Sequence, residues 1–230
     1  MVTSSFVNKN NMKAVAILLM FISMNAFAQP KKVVERVLVS GQDRLNLEFA
    51  FASNITFETW DRQEVLVEVT VEINGGEDND IFELSTETTE SSIYFEMDED
   101  MWKKISKDKK RNWNNCSYTS EINYQVFLPA GLKVKANTIS GDYEFSYFGE
   151  EMDLKTISGA IDITVPREYS LDFNAKTISG EVYSDLEIEY PEGKEGLRQI
   201  VGQNFRGRIN QGGQLSDFET ISGNIYLRKG

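Results

Sequence analysis

Apolar and polar residues alternate with a period of two along most of the chain. The clearest run is 65–73, where every second residue is Val or Ile. Leucine or aromatic residues alternate with other residues in the same way over 45–51, and a mixed apolar set does so over 122–128. Successive side chains of a strand point to opposite faces, so this period is typical of half-buried strands. No long stretch shows the apolar spacing of an amphipathic helix. The pattern therefore predicts an all-β fold.

The second half of the chain repeats one tetrapeptide. Thr-Ile-Ser-Gly occurs at 138–141, 156–159, 177–180 and 220–223, and a degenerate fifth copy is predicted at 205–209 because it has the same Gly-x-Ile ending. Internal repeats of this kind are typical of stacked, solenoid-like architectures. An alternative is a β-sandwich whose hairpins happen to look alike.

The apolar positions change parity at each copy. Before the first copy they have even numbers, as Val134 does, and after it they have odd numbers, as Tyr143 does. A straight strand would turn its apolar side to solvent at that point, so a bend or bulge is predicted between Thr and Ile. We therefore predict a single-stranded β-solenoid (β-helix-like) in which Ile157 is buried between Ile139 and Ile178. At the predicted structural corners, a glycine fits because a side chain would be crowded or because φ is positive: Gly141, Gly159, Gly180, Gly207 and Gly223.

The N-terminus has the features of a secretory signal. A basic start at Met12-Lys13 precedes the apolar run 14–22, and Ala26-Phe27-Ala28 supplies the small residues of a cleavage site. The apolar run is too short to span a bilayer. The sequence predicts a signal peptide over 1–28, with an upstream extension over 1–11. The protein is then expected in the periplasm or on the outer cell surface of a Gram-negative bacterium.

After the signal, two regions are predicted. Residues 29–130 form a β-strand region with a charged loop at 98–120, and residues 131–230 form the solenoid, onto which the first region packs or which it continues. The loop joins cations, which attract phosphates or uronates, to aromatic rings, which stack on sugars. It is either a solvated hairpin loop or the partner-binding element. The residues of this predicted binding loop are Trp102, Lys103, Lys104, Lys107, Lys109, Lys110, Arg111, Trp113 and Tyr118.

Composition excludes several classes of function. The chain has no histidine, which removes Ser-His-Asp and Cys-His catalysis and nearly all catalytic zinc sites. Its net charge is −12, and loss of Lys9 and Lys13 with the signal would make it more negative, so binding to nucleic acid is not expected. A single cysteine, Cys116, allows no internal disulfide. We predict no catalytic residue, no cofactor and no metal site.

Two acidic features keep an alternative open. Residues 75–82 are similar to one calcium-binding nonapeptide, although such sites need tandem copies, and an acidic loop is the better interpretation. Asp142, Glu144, Asp162 and Glu181 follow three successive copies of the repeat. Aligned carboxylates of this kind occur in calcium-dependent polysaccharide lyases, which also need an Arg or Lys base. The alternative function is therefore a β-helix-type carbohydrate-active enzyme.

Three motifs together carry a resemblance to a known family. They are residues 54–61 (Asn-Ile-Thr-Phe-Glu-Thr-Trp-Asp), residues 128–131 (Leu-Pro-Ala-Gly) and the series of Ser-Gly-x-apolar segments. The chain resembles, over about 35–230, the bacterial putative-adhesin family of exported β-solenoid proteins, which is related to adhesin head domains. The resemblance implies a non-enzymatic cell-envelope protein that binds a surface polymer, peptide or protein partner. The charged segment 98–120 departs from the family's compact pattern.

Overall fold

The computed structural model describes residues 29–108, 119–190 and 203–230. The predicted signal peptide lies outside the described residues, and so do residues 109–118 of the predicted binding loop. The strands are β1 (Lys31–Leu38), β2 (Arg44–Glu48), β3 (Phe51–Trp60), β4 (Glu64–Ile73), β5 (Leu84–Thr88), β6 (Ser92–Met97), β7 (Ser120–Pro129), β8 (Lys133–Ser146), β9 (Met152–Ser158), β10 (Ile161–Val165), β11 (Leu171–Thr177), β12 (Val182–Ser184), β13 (Gln203–Ile209), β14 (Gln214–Ser222) and β15 (Ile225–Lys229). A helix, α1, spans Met101–Asp108, and two 3₁₀ turns span Asn74–Gly76 and Asn79–Ile81.

The all-β prediction is confirmed. The strands form one mixed sheet that is not closed, with the main order β1-β4-β7-β3-β8-β9-β14-β11-β13. The alternating run 65–73 lies in β4, which pairs antiparallel with β1 and with β7. Its odd-numbered residues are buried, because one face of β4 covers the core. The period of two in the sequence thus corresponds to one buried face of the sheet.

Five chain segments lie parallel to one another and form what we call the parallel stack. In spatial order they are 44–60, 133–146, 152–165, 214–229 and 171–184. Each segment has one stretch of strand before its bend and one after it. In the segment 152–165 these two stretches are β9 and β10. The first segment belongs to the N-terminal region, and its strands β2 and β3 pair directly with β8, so the sheet continues across residue 130.

The repeats do not stack in chain order. Thr156 is in register with Thr138 on one side and with Thr220 on the other, while Thr177 pairs with Thr220. The last copy of the motif therefore lies between the second and the third. The prediction that Ile178 is a neighbour of Ile157 was wrong. Since all copies are the same tetrapeptide, each can stack on any other, and their order along the chain does not determine the order in space.

The parity change is present, but its position differs from the prediction. In β8, Val134, Ala136 and Thr138 are buried, and from Gly141 onward the odd-numbered residues are buried. The change occurs because two consecutive residues, Ile and Ser, both point outward. The predicted burial of Ile157 was therefore wrong, since its side chain is 47% exposed.

Gly207 is placed differently from the other four glycines. It lies in the middle of β13, which runs antiparallel to β11, and it faces Phe173 there. A Cβ on Gly207 would lie 2.7 Å from the ring of Phe173 and 2.5 Å from Ile188. The prediction that 205–209 is a degenerate copy of the motif was wrong. Glycine is needed at Gly207 because a neighbouring aromatic ring packs directly over the strand.

Candidate functional site: a groove floored by isoleucines

The buried threonines of the motif join adjacent segments of the stack. The hydroxyl of Thr156 donates to the carbonyl of Gly141 at 3.3 Å, and that of Thr220 donates to the carbonyl of Gly159 at 3.0 Å. Thr177 donates in the same way to the carbonyl of Gly223 at 2.9 Å. A buried hydroxyl needs a partner. Each of these three threonines thus satisfies its own hydroxyl by bonding the neighbouring copy, and we call Thr156, Thr220 and Thr177 the threonine column.

The glycines of the motif allow that close stacking. A Cβ on Gly159 would lie 2.0 Å from the carbonyl oxygen of Gly141, and a Cβ on Gly223 would lie 1.9 Å from that of Gly159. A Cβ on Gly180 would lie 1.9 Å from the carbonyl oxygen of Gly223. Gly141 also has a φ of +143°, which the other three do not share. The shared reason for glycine is therefore the close approach of backbone from the next segment.

The isoleucines of the motif form an exposed apolar column. In spatial order they are Ile139, Ile157, Ile221 and Ile178, and their side chains are between 42% and 47% exposed. Adjacent strands of a sheet are about 4.8 Å apart, so the four side chains make a continuous strip, which we call the isoleucine column. A single exposed isoleucine is ordinary, whereas a contiguous apolar strip with polar borders marks an interaction site.

Part of the isoleucine column is the floor of a groove of about 590 Å³. Ile139, Ile157 and Ile221 line the groove, and Ile178 does not. One wall is formed by the end of β6 and by the residues between β6 and α1. This wall contributes Glu96, Met97 and Glu99. The volume is within the usual range for ligand-binding clefts, about 300–1,000 Å³. We call this cleft the isoleucine groove.

The border of the isoleucine groove is mainly acidic. Four carboxylates and one amine line it: Glu48, Glu96, Glu99, Glu219 and Lys155. Glu219 pairs with Lys176 at 2.6 Å, and Lys155 lies 3.3 Å from Asp153. Among the side chains that the structure describes, no cation lies within ion-pair distance of the carboxylates of Glu96 and Glu99, although the charge of Glu99 adds to the effect of Asp100 in raising the pKa of Lys103. The groove thus combines an apolar floor with negative charge available at one wall.

The predicted binding loop is described only at its beginning. Trp102 is partly buried against the core and packs edge-to-face on Phe51, with ring centroids 5.8 Å apart. Lys103 pairs with Asp100 at 2.5 Å, and Lys104 pairs with Asp98 at 2.8 Å. The hydrogen bond from Lys104 lowers the pKa of the Asp98 carboxyl. Lys107 belongs to α1, and the remaining predicted residues lie outside the described part of the chain: Lys109, Lys110, Arg111, Trp113 and Tyr118.

Three of the four carboxylates that follow the repeats bind groups of the protein itself. Asp142 accepts a hydrogen bond from the backbone N–H of Ala160 at 2.7 Å. Asp162 is in register with Glu144, but both of its oxygens are bound by the guanidinium of Arg228, at 2.7 Å each. Glu181 accepts a hydrogen bond from the hydroxyl of Tyr183. Arg228, which lies beside Asp162, is therefore engaged in an ion pair, and this does not favour a role as catalytic base.

Polar side chains of the acidic segment 75–82 form hydrogen bonds and an ion pair with nearby residues of the protein. The side-chain oxygen of Asn79 accepts from the N–H of Ile73 at 2.8 Å, and Asn74 donates to Asp78 at 2.5 Å. Asp80 lies 3.8 Å from the amine of Lys31. Within the described residues, no three Cys, Asp or Glu side chains come together as a metal site would require.

Similarity to known proteins is confined to structure. No protein-family model matches the chain, and no curated protein matches it. A putative cell adhesion protein from Clostridium sporogenes has a TM-score of 0.54 at 11% identity, over 88% of this chain and 100% of that one. A putative adhesin from Parabacteroides merdae has a TM-score of 0.24 at 11% identity, over 67% and 69%. A putative lipid binding protein from Parabacteroides distasonis has a TM-score of 0.28 at 11% identity, over 87% and 97%.

The likeness to the Clostridium protein shows a shared fold. Among residues 29–108, 119–190 and 203–230, no helix has the length and hydropathy that crossing a bilayer would require. The chain is similar in fold to a putative cell adhesion protein.

Proposed function

We propose that this protein is an exported, non-enzymatic cell-envelope protein that binds a partner through the isoleucine groove. In this proposal residues 1–28 are a cleaved signal peptide, and the parallel stack is a β-solenoid-like scaffold that presents the binding surface. The role is that of an adhesin or an interaction scaffold. The likeness in fold to the putative cell adhesion protein from Clostridium sporogenes supports this class of function.

One observation carries the proposal. The motif Thr-Ile-Ser-Gly places a β-branched apolar side chain in solvent four times, on adjacent strands, although the threonine and glycine of the motif already account for the stacking. Exposed apolar columns favour association with other surfaces and carry a risk of aggregation. Three of the four isoleucines lie in a cleft of ligand-binding size, and a partner that covers them best explains an apolar surface there.

The predicted loop remains a second candidate surface for the same function. Its cations stand out in a chain of net charge −12, and they lie in sequence next to the Glu96–Glu99 wall of the groove. Replacement of Lys103, Lys104, Lys107, Lys109, Lys110 and Arg111 by Ser tests this candidate. The loop and the groove can therefore be separated by variants in one assay.

Retention of the purified protein on envelope material from its native host tests the proposal. We expect Ile157→Ser to reduce retention about tenfold or more, because burying an aliphatic side chain contributes about 1.5–3 kcal/mol. Ile178→Ser is the matched control, since Ile178 has the same motif and exposure but does not line the groove. Full retention of Ile157→Ser with loss in the six-residue Ser variant would move the site to the loop. Full retention of both variants would contradict binding at either surface.

A further inference from the structure

The borders of the isoleucine groove restrict what can occupy it. The floor is one isoleucine wide, and Asn137, Lys155 and Glu219 run along it as a polar border on the same strands. An alkyl chain laid on this floor would remove water from these polar groups without offering hydrogen bonds, which is unfavourable. An extended peptide carries a donor and an acceptor on almost every residue and satisfies such a border. The geometry thus favours a peptide over a lipid chain.

The charge of the groove selects among peptides. Glu96 and Glu99 line one wall, and among the described residues neither is in an ion pair, while Lys155 is the one cation that lines the groove. Interfaces are arranged so that opposite potentials meet, and like charges brought together are costly. A segment carrying Lys or Arg would meet these carboxylates, whereas an acidic segment would be repelled.

The length of the floor sets the size of the recognised element. The three isoleucines that line the groove span two strand spacings, which is about 10 Å. An extended peptide advances about 3.3 Å per residue, so about three residues cover this floor. Aliphatic side chains at alternate positions would face the isoleucines. The basic residue between them leaves the floor, and its long, flexible side chain bends toward the carboxylates of the wall.

We propose that the isoleucine groove binds a short, extended, basic amphipathic segment of a partner protein, in which aliphatic residues alternate with Lys or Arg. This inference rests on the proposed function and specifies the partner for the same site. The peptide main chain meets the polar border, the aliphatic side chains cover the isoleucine column, and the basic side chains face Glu96 and Glu99.

Fluorescence anisotropy with labelled octapeptides tests this inference. The probes are a peptide of alternating Leu and Lys, one of alternating Leu and Glu, and one of alternating Ser and Lys. We expect the Leu-Lys peptide to bind at least about tenfold more tightly than the other two. The double variant Glu96→Gln, Glu99→Gln and the single variant Ile157→Ser should each weaken its binding about tenfold. Glu168→Gln and Ile178→Ser, which lie outside the groove, should leave it unchanged.

The outcomes separate the partner class from the function itself. Equal binding of the Ser-Lys peptide, or binding insensitive to Ile157→Ser, would show attraction to general negative charge and would overturn the peptide proposal. Binding of phosphatidylcholine vesicles in place of the peptide, lost in Ile157→Ser, would overturn the peptide and leave the groove as the binding site. Envelope retention that survives Ile157→Ser would overturn the proposed site as well.

Discussion

The threonine column and the isoleucine column are made by adjacent residues of the same tetrapeptide, yet they face opposite sides of the sheet. The threonines are almost fully buried and bond the neighbouring copy, while the isoleucines are nearly half exposed. The polar residue is thus inside and the apolar residue is outside. This inversion of the usual arrangement shows that the motif serves stacking through Thr and Gly, and that its Ile is available for another role.

A second contrast lies within the isoleucine column itself. Three of its members line a groove with an acidic wall, and the fourth, Ile178, lies beyond that groove. The local motif is the same in all four, so the difference comes from the end of β6 and the residues before α1. Binding is therefore expected to depend on position in the stack, and stability is expected to depend on position in the motif.

The largest loss of stability is expected when a methyl group is added at a glycine of the motif, where adjacent segments stack. In Gly159→Ala the new Cβ would meet the carbonyl of Gly141 at 2.0 Å, so the two segments must separate. We expect a loss of about 3 kcal/mol or more in the free energy of unfolding, at the upper end for overpacking. Urea denaturation measures this loss. Ser158→Ala at the exposed neighbour is the control, with a change of about 0.5 kcal/mol or less. Similar losses in the two variants would contradict the claim that the motif glycines are needed for close stacking of adjacent segments.

A smaller effect is expected from the threonine column. Thr156→Val keeps the shape of the side chain but removes the hydrogen bond to Gly141 and leaves that carbonyl without this donor. The expected loss is about 1–2 kcal/mol in the free energy of unfolding. Thr86→Val on the exposed face of β5 is the matched control, with almost no change. A stability of Thr156→Val equal to that of the unchanged protein would show that the column does not contribute.

The sequence predicted much of this fold for identifiable reasons. Alternation in runs such as 65–73 predicted strands because one face of each is buried. For the motif glycines the prediction left two reasons open, crowding or a positive φ. In the structure the backbone of an adjacent segment approaches Gly159, Gly180 and Gly223 too closely for a Cβ, whereas Gly141 has a positive φ.

The position of the isoleucines could not be predicted in the same way. A parity change requires one extra residue at the bend, but parity alone is the same whether Ile points inward or outward. Because Ile is apolar, the sequence favoured an isoleucine side chain that points into the core. The hydrogen bond that makes the buried Thr acceptable comes from a neighbouring copy, and the sequence does not show which copy that is. The stacking order, with 220–223 between 156–159 and 177–180, could not be predicted either, because identical copies do not specify their neighbours.

The groove was missed because its walls come from distant parts of the chain. Glu96 and Glu99 precede the predicted binding loop, while the floor comes from three copies of the repeat. One signal was present: four identical Ile residues at a position where Val or Leu would serve a core equally well. The basic residues 109–111 stay a prediction, since they lie outside the described residues.

The smallest expected change gives the most direct test of the central claim, that the isoleucine column lies in solvent. In Ile157→Asp a half-exposed residue is replaced by a charged one, so the loss is limited to partial burial, strand preference and solvent-screened repulsion from the carboxylates of the groove border. Urea denaturation of the purified protein should give a loss of about 1 kcal/mol or less in the free energy of unfolding. A buried Ile157 would instead cost about 2–5 kcal/mol for the lost packing, and more for the buried charge. A loss in that range would contradict the account.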